Sequence, residues 1–443
     1  MVTLHIGFDD TDSPRGGCTT YIAALLVEKL LKLGARFKDY PNLIRLNPNV
    51  PWKTRGNGAL CLRVVCPESA LDAVFEAVAD TVEQNSDLQL EGTDPGMVFF
   101  QGRKIPQELK DFARRTIRGI VKMEQALRLL REFHAEALGY GTGLGIVGAL
   151  AAIGETLETD HTYEIIAYRT PRYRGSNRLL DQRSIIEMNQ ETALQTFNNI
   201  DSETGRVLIT PRGPDPILYG IRGETAEAVI RAHRMVKPLE PVERWIVFRT
   251  NHGTDAHLEQ VKAINDIEPY HTAVVTGLVD SEPKLVPKRH RVFRLRDETG
   301  EVDCAAYEPT GALRKIAGQL QKHDLVEVAG GVRPPSKEHI ATINLEKLRV
   351  VKLAPRLVSR NPRCPKCGKR MSSMGTGQGF RCPKCGLRSS KLRKFVLEEK
   401  REVSEGLFIT SPRSQRHLTK PHCRYGREKA GRPDGMLSYW HDP

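Results

Sequence analysis

The chain has 443 residues, which is enough for three or four domains. Its composition, with 39% hydrophobic residues and a net charge of +13, is that of an ordinary folded protein. No run of about 18 apolar residues occurs, and the N-terminus MVTLHIGFDD lacks the basic start of a signal peptide, so the expected location is the cytoplasm. Nine cysteines, an odd number, argue against a disulfide framework.

The first predicted element is a strand over residues 3–8, and three carboxylates follow it within four positions. They are Asp9, Asp10 and Asp12. Like charges crowded at the end of a strand repel one another unless something positive lies beside them. Aspartates in this setting most often hold Mg²⁺, which bridges to substrate phosphates. The alternative is a charged turn in which Asp12 or Ser13 caps a helix.

Two glycines, Gly16 and Gly17, come next, followed by Thr19 and a predicted helix over residues 20–33. Glycines let backbone amides approach a phosphate closely, and the N-terminus of a helix attracts anions. No GxxxxGK[ST] sequence occurs, so this is not a Walker A loop. The N-terminal segment therefore predicts a metal–phosphate site of another kind.

Predicted strands and helices alternate to about residue 240, which indicates an α/β or α+β body. The further strands are expected at 54–66, 96–100 and 163–169, and the further helices at 71–84 and, as one or two helices, within 107–138. A glycine-rich segment at 141–154 resembles a dinucleotide fingerprint. No acidic residue follows at the required distance, so close packing of a small-residue helix is the favoured interpretation.

The segment NPNVPWKTRGNG, residues 47–58, places Lys53 and Arg55 beside the flexible Gly56. Two cations next to accessible backbone amides suit a polyphosphate. An ordinary basic hairpin explains the same residues nearly as well.

From about residue 265 the pattern changes to five short β runs, with a helix-like segment at 311–323 before the fourth. This order predicts a five-stranded barrel of the OB type, whose usual ligand is single-stranded nucleic acid or oligosaccharide. Another small β domain is the alternative.

Two CxxC pairs, separated by fourteen residues, form the strongest local signal. Their cysteines are Cys364, Cys367, Cys382 and Cys385. This spacing is typical of a tetrahedral zinc ribbon, and because all four ligands come from the protein the metal is predicted to be structural. The alternative is two unrelated turns with free thiols.

The positive charge is concentrated near the C-terminus, because residues 361–443 carry 19 basic and 7 acidic side chains whereas residues 1–360 carry 48 and 47. A segregated basic segment predicts a polyanionic partner, with nucleic acid favoured over a merely basic surface. A helix is predicted at 389–403. The final forty residues have little apolar pattern and are expected to become ordered only on a partner.

Ordered motifs along the whole chain resemble those of the archaeal isoleucine-tRNA 2-agmatinylcytidine synthetases. The motifs are IGFDDTDS, GGCTTY, LIRLNPNVPWKTRGNGA, GIVGALAAIG, AYRTPRYRG, QTFNNID, PILYGIRGE, TNHGTDAHL, INLEK, the CxxC pair around GTGQGFRC, and SQRHLTKP. The resemblance implies a multidomain α+β chain. Its parts would be a kinase-like catalytic domain at 1–135, a ferredoxin-like domain at 136–262, an OB fold at 263–356, a zinc ribbon at 360–392 and a basic tRNA-binding tail at 393–443.

The resemblance also implies a reaction, in which agmatine is joined to C2 of the cytidine at the first anticodon position of the CAU-anticodon isoleucine tRNA. The modified tRNA would read AUA codons. ATP, which ends as AMP, would phosphorylate the C2 oxygen, and the amine of agmatine would then attack C2 as phosphate leaves. Two other functions stay open: a nucleic-acid-binding protein with a regulatory nucleotide domain, and a small-molecule kinase with an RNA-tethering tail.

Site residues follow from this resemblance. The three N-terminal aspartates would hold Mg²⁺ on ATP, and Thr19 falls on a threonine that the family phosphorylates. Contacts to the ATP phosphates are expected from Gly16, Gly17, Lys53, Arg55 and Gly56. Asp201 and Glu224 are candidates for binding agmatine, and Arg416, His417 and Lys420 are candidates for binding tRNA.

Overall fold

The computed structural model describes residues 1–53, 56–261, 263–337, 339–431 and 435–443. The N-terminal part forms one large sheet, whose strands are β1 (Val2–Asp9), β2 (Arg36–Phe37), β3 (Asn42–Arg45), β4 (Gly58–Cys66), β5 (Gly96–Gln101), β6 (Glu136–Gly139), β7 (Thr162–Arg169), β8 (Thr196–Phe197), β9 (Ile217–Gly223) and β10 (Val242–Thr250). Its helices are α1 (Thr19–Lys32), α2 (Leu71–Gln84), α3 (Gln107–Arg118), α4 (Met123–Glu132), α5 (Gly145–Gly154), α6 (Gln182–Glu191) and α7 (Ala226–Met235). No helix within the described ranges is both long and apolar enough to cross a membrane.

The strands of this sheet lie in the order β6-β5-β1-β4-β3-β10-β7-β9-β8. Helices α1, α2, α6 and α7 share one hydrophobic core with one face of the sheet, and α3, α4 and α5 cover the other face of its first half. Strand β1 shows why: Leu4, Ile6 and Phe8 alternate along it and all point into the first core. The expected α+β body is therefore confirmed.

Helix α5 packs closely on β1, as the small residues of its sequence predict. A Cβ atom at Gly7 of β1 would lie 2.1 Å from the carbonyl oxygen of Ala149, so only glycine allows the helix to approach this near. The same helix and strand β6, which pairs with β5, lie beyond the expected domain boundary at residue 135 but pack with the first half of the sheet. Strands β3 and β10 also pair, in parallel, across that boundary. The first two expected domains thus share one continuous sheet.

Six further strands and a short helix follow. They are β11 (Thr272–Val279), β12 (Lys284–Val286), β13 (His290–Arg296), β14 (Glu301–Ala306), β15 (Leu325–Arg333), β16 (Thr342–Lys352) and α8 (Ala312–Ala317). Strands β11, β15, β16, β14 and β13 pair in that order, and pairing of β11 with β13 closes the ring. This closed five-stranded barrel, with its helix before the fourth barrel strand in chain order, confirms the expected β domain.

The cysteine-containing segment carries small strands: β17 (Leu357–Arg360), β18 (Ser372–Ser373), β19 (Phe380–Arg381), β20 (Arg388–Ser389) and β21 (Phe395–Glu398). Strands β18, β19 and β20 form a three-stranded sheet beside the cysteines. The prediction of a helix at 389–403 is wrong, because strand β21 lies within this segment and pairs antiparallel with β17. Val396 and Leu397 stay exposed, so no buried apolar stripe is available to support a helix.

The C-terminal segment is part of the folded body, which corrects the expectation that it becomes ordered only on a partner. Strand β22 (Gly406–Ile409) pairs with β16 of the barrel, and β23 (His441–Asp442) pairs with β10 of the large sheet. Trp440 is buried in the first hydrophobic core. Arg424, wholly buried, donates hydrogen bonds to Asp160 and Glu224. The basic residues of the C-terminal segment thus pair with carboxylates that lie far away in sequence, and local composition does not reveal such pairs.

Candidate active site

A cavity of about 560 Å³ opens where the ends of β1 and β3 meet the loop after β3, strands β7 and β9, and the C-terminal segment. Four carboxylates line one region of it, and basic side chains line another. The acidic residues of the first region are Asp9, Asp10, Asp12 and Asp94; the basic residues of the second are Arg45, Lys53, Arg222, Arg413 and Arg416, together with His252 and His417.

The acidic region begins where β1 ends. Asp10 has a φ of 59°, a left-handed conformation that a non-glycine residue adopts at some cost, and this turns the chain so that it and Asp9 both line the cavity. Burial and the neighbouring charge of Asp10 raise the pKa of Asp9 well above its usual value. Burial also raises the pKa of Asp10 to about 6, even though the Asp94 backbone N–H donates a hydrogen bond to its carboxylate at 3.2 Å.

These raised pKa values mean that burial disfavours the charged form of both carboxylates unless something offsets their charge. A cation bound there would do so, and carboxylate oxygens are the ligands that Mg²⁺ prefers. The carboxylates are not gathered into a ready-made cluster, since the four cysteines are the one group of close metal ligands among the described residues. Mg²⁺ commonly keeps several waters and takes the rest of its ligands from phosphates, so it does not need such a cage.

Thr19 is the first residue of α1 and lies buried at the wall of the cavity. Its side-chain oxygen accepts a hydrogen bond from the Thr11 hydroxyl at 3.0 Å. The residue before α1 is Cys18, which makes no side-chain cap, so the alternative role of Asp12 or Ser13 as the cap of this helix is not what the structure shows. Thr19 therefore stands with a hydroxyl at the positive end of a helix, next to the acidic region.

The glycines before α1 do not line the cavity. Gly16 closes a turn with Ser13 through two backbone hydrogen bonds, of 2.8 and 3.1 Å, and Gly17 has a φ of 81°. Arg15 in the same turn pairs with Asp87 at the surface. The expected phosphate contacts of Gly16 and Gly17 thus stay predictions.

Two of the three residues predicted in the loop after β3 line the cavity. Lys53 lies at its mouth, where partial burial and the charge of Arg416 lower the pKa of its ammonium group. Gly56 lies against the His417 ring, since a Cβ atom there would come within 2.5 Å of Nε2. Arg55 lies outside the described residues.

The candidate tRNA-binding residues separate into two groups. Arg416 and His417 line the cavity, and Lys420 lies away from it, with its Nζ 2.9 Å from Glu428 and 3.6 Å from Asp160. The charge of neighbouring Arg45 and, to a smaller extent, burial lower the pKa of His417 well below its usual value, so this ring stays neutral at physiological pH. All three residues belong to the folded body and not to a free tail.

The two candidate agmatine-binding carboxylates already have partners. Asp201 is buried and accepts hydrogen bonds at 3.1 Å from the Arg413 guanidinium. Glu224 accepts one at 2.7 Å from Arg424 and lies outside the cavity. A guanidinium ligand would have to displace these arginines, so the structure lends neither assignment direct support.

Glu164, on β7, stands at the centre of a cluster that the sequence did not indicate. It is 2% exposed and lies 3.0 Å from Arg222, 3.4 Å from Arg45 and 3.4 Å from His252. Although burial acts in the opposite sense, Arg222 and His252 hold the pKa of Glu164 well below its usual range. Burial and Arg222 lower the pKa of His252 to about 4. The one available signal was a lone carboxylate in the otherwise apolar strand YEIIAY.

The four cysteines of the ribbon bring their sulfur atoms within 4.8 Å of one another. The individual Sγ–Sγ distances are 3.4 Å for Cys367–Cys382, 3.5 Å for Cys364–Cys385 and 3.7 Å for Cys367–Cys385. A tetrahedral site with Zn–S bonds of about 2.3 Å needs sulfurs about 3.8 Å apart, so the donor set fits zinc. Because no ligand position is left for water or substrate, the metal there would be structural.

Fold and site together define a multidomain protein in which a cavity-bearing α+β body is joined to a β-barrel and a zinc ribbon. Three family models match it: the TiaS TCKD domain at residues 5–142, the TiaS FLD domain at 143–257 and the TiaS C-terminal zinc ribbon domain at 361–403. The isoleucine-tRNA 2-agmatinylcytidine synthetase TiaS of Staphylothermus marinus is 40% identical, over 97% of this chain and 95% of that protein.

Solved structures show the same similarity to TiaS. A complex of TiaS with its isoleucine tRNA and ATP superposes with a TM-score of 0.86 at 38% identity, covering 98% of this chain and 100% of the other. A complex of TiaS with the same tRNA, AMPCPP and agmatine superposes with a TM-score of 0.83 at 36% identity, again covering 98% of this chain and 100% of the other. The chain belongs to the TiaS family, as its sequence motifs predicted.

Proposed function

We propose that this chain is an ATP-dependent ligase that joins agmatine to C2 of the cytidine at the first anticodon position of the CAU-anticodon isoleucine tRNA. The similarity to TiaS over nearly the whole chain carries the proposal. One solved TiaS structure is a complex with its isoleucine tRNA and ATP, and another is a complex with the same tRNA, AMPCPP and agmatine. The cavity supports it, since one space offers carboxylates suited to a cation and basic groups suited to phosphates.

The chemistry needs a good leaving group at C2, because a carbonyl oxygen leaves poorly. Phosphorylation of the C2 oxygen by ATP supplies one, and attack by the agmatine amine then forms the C–N bond as phosphate departs. Asp9, Asp10 and Asp12 would hold Mg²⁺, which when bound neutralises the phosphate charge. Lys53 and Arg416 attract the polyanion to the mouth of the cavity.

Thr19 is proposed as the phosphoryl acceptor that the family resemblance implies. Its oxygen lies at the positive end of α1, close to the acidic region, and Thr11 donates a hydrogen bond to it. Acceptance of a phosphoryl group would require the Thr19 hydroxyl to give up its proton to a base.

The finer fold assignments are part of the proposal. We assign a kinase-like fold to residues 1–135 and a ferredoxin-like fold to 136–262, with the sheet shared between them. The closed barrel, whose first strand pairs with both its second and its fourth, supports an OB fold at 263–356. A cytoplasmic location fits the nine free cysteines.

The test is incubation of the purified chain with ATP, radiolabelled agmatine and tRNA transcripts. Label should enter the isoleucine tRNA with a CAU anticodon, and a matched transcript with uridine at the first anticodon position should stay unlabelled. Label in both transcripts, or in neither, would refute the proposed specificity. Transfer to a small molecule and not to RNA would favour the small-molecule kinase.

A further inference from the structure

Trp52 is the one Phe, Tyr or Trp side chain that lines the cavity within the described part of the chain. It is 53% exposed, whereas the other two tryptophans, Trp245 and Trp440, are 5% and 7% exposed. Exposing a tryptophan costs free energy unless its ring serves a contact, since transfer of apolar surface out of water is favourable. An exposed indole that lines a cavity is therefore suited to stack against a planar ligand.

The loop that carries Trp52 is held firmly at both ends. Asn47 receives a hydrogen bond from the Asn57 side chain at 3.0 Å and donates one to the carbonyl oxygen of Tyr270 at 2.9 Å. Asn49 donates to the carbonyl oxygen of His271 at 3.2 Å. Tyr270 and His271 lead into the first strand of the barrel, so the loop bridges the barrel and the cavity.

The barrel also presses against the same loop. A Cβ atom at Gly331, on strand β15, would lie 2.0 Å from the Asn49 side-chain oxygen, so the contact leaves no space between them. Arg416 donates a hydrogen bond at 2.9 Å to the carbonyl oxygen of Pro48. These contacts place the segment just before Trp52 between the barrel and the cavity, and we take this edge as the entrance for an RNA that lies on the barrel.

Two cations flank this entrance. Lys53 follows Trp52 directly, and the charge of Arg416 reaches Lys53 strongly enough to lower, together with burial, the pKa of its ammonium group. An aromatic face beside cations is the usual means of holding an unpaired nucleotide, with the base on the ring and the phosphates at the charges. A base must leave its stack before an enzyme can act on it, and it then needs a new surface to stack on.

We propose that Trp52 is the stacking platform for a nucleobase that the tRNA extrudes into the cavity at the first anticodon position. This inference rests on the proposed function. Trp52 makes no bond to reacting atoms and acts by positioning the base. The open ring at the rim favours the RNA base over the adenine of ATP as its ligand.

The first experiment uses the fluorescence of the native chain without ATP or agmatine. Because the other two tryptophans are buried, stacking on Trp52 should quench the emission when the CAU-anticodon isoleucine tRNA is added. A matched tRNA without a base at the first anticodon position should quench it much less. Equal quenching by both RNAs, or full quenching by ATP alone, would overturn the assignment. Trp52→Phe gives the background from Trp245 and Trp440.

The second experiment compares Trp52→Phe with Trp52→Leu in agmatine transfer. Loss of stacking should lower kcat/KM for tRNA about 5- to 150-fold in the leucine variant, while phenylalanine retains most of it and KM for ATP stays unchanged in both. Equal rates for the two variants would refute the platform. Failure of the wild-type chain to transfer agmatine would refute the proposed function instead, and the fluorescence result does not depend on turnover.

Discussion

Glu346, on strand β16 of the barrel, lies 3.3 Å from Arg416, whose side chain lines the cavity of the large sheet. The carboxylate is 4% exposed and also accepts hydrogen bonds from His257 at 3.0 Å and Thr419 at 2.7 Å. Burial alone would raise the pKa of Glu346, but His257 and Arg416 lower it to about 2. A residue of the barrel thus pairs with a cationic side chain that lines the cavity.

Replacing the Glu346 carboxylate should uncouple the barrel from the cavity. In Glu346→Gln, Arg416 loses its ionic partner, and we expect a destabilisation of about 1–3 kcal/mol together with a lower kcat/KM for tRNA. Thermal unfolding and agmatine transfer measure the two effects. Glu327→Gln is the matched control on strand β15, because its exposed pair with Arg349 should contribute less than about 1 kcal/mol. Equal effects of both variants would contradict the coupling.

Removal of one cavity carboxylate should separate catalysis from RNA binding. Asp9→Asn should reduce agmatine transfer by at least about 100-fold, because the proposed Mg²⁺–phosphate complex would lose a ligand and its charge. tRNA affinity, measured by filter binding, should stay within about twofold, since phosphate contacts by basic residues dominate it. Asp87→Asn, which removes a surface pair with Arg15, should change neither quantity. Full transfer by Asp9→Asn would refute the metal assignment.

Helix α5 leaves no space beside the same carboxylate. A Cβ atom at Gly148 would lie 1.8 Å from Oδ2 of Asp9, so Gly148→Ala must move either the helix or the carboxylate. Overpacking of this kind costs about 1–3 kcal/mol, and we expect transfer to fall at least about tenfold. Transfer assays and thermal unfolding provide the measurements. Gly435→Ala, where nothing lies within 4 Å, is the control. Unchanged transfer would show that Asp9 tolerates displacement.

The zinc ribbon should lose its metal when one ligand is removed. Cys382→Ser replaces a thiolate by a weaker ligand, so bound zinc, measured by metal analysis, should fall from one equivalent towards zero. tRNA binding should weaken with it, because the surrounding basic residues lose their fixed positions. Cys423→Ser removes an exposed cysteine outside the cluster and should retain full zinc. Retention of zinc by Cys382→Ser would contradict the four-cysteine site.

His5 should make the stability of the chain depend on pH. Its Nε2 donates to the carbonyl oxygen of Gly102 and its Nδ1 accepts from Arg63, so a second ring proton has no place. Burial and Arg63 lower its pKa from 6.5 to about 3. Between these values the unfolded chain binds a proton that the folded chain does not, and stability falls as the pH drops.

This effect amounts to about 2 kcal/mol lost at pH 5 relative to a fully neutral histidine. Urea unfolding at pH 7 and pH 5 measures it, and His5→Gln should show a smaller difference between the two pH values. His134→Gln, at an exposed position, should leave the difference as in the wild type. An equal pH dependence in wild type and His5→Gln would exclude this origin.

Local features of the sequence were enough to predict several elements. The segment at residues 3–8 predicted β1, and the CxxC pairs predicted the ribbon, because strand pattern and ligand spacing are properties of a short stretch. The barrel followed from the order of its strands. The motifs also indicated the family, and with it the proposed reaction. The absence of a helix at 389–403 was not predicted, because a short apolar run does not distinguish a helix from a strand.

Only the tertiary structure decided how distant residues combine. It placed Arg222 and His252, from a separate strand and a loop, beside the buried carboxylate of Glu164. It also folded the basic C-terminal segment onto the sheet, so that Arg416 reaches the cavity. The reason is physical: a buried charge is tolerated only beside an opposite one, and that partner is chosen by chain packing over hundreds of residues. Sequence alone determined which chemical groups the chain carries, and the fold determined which of them meet.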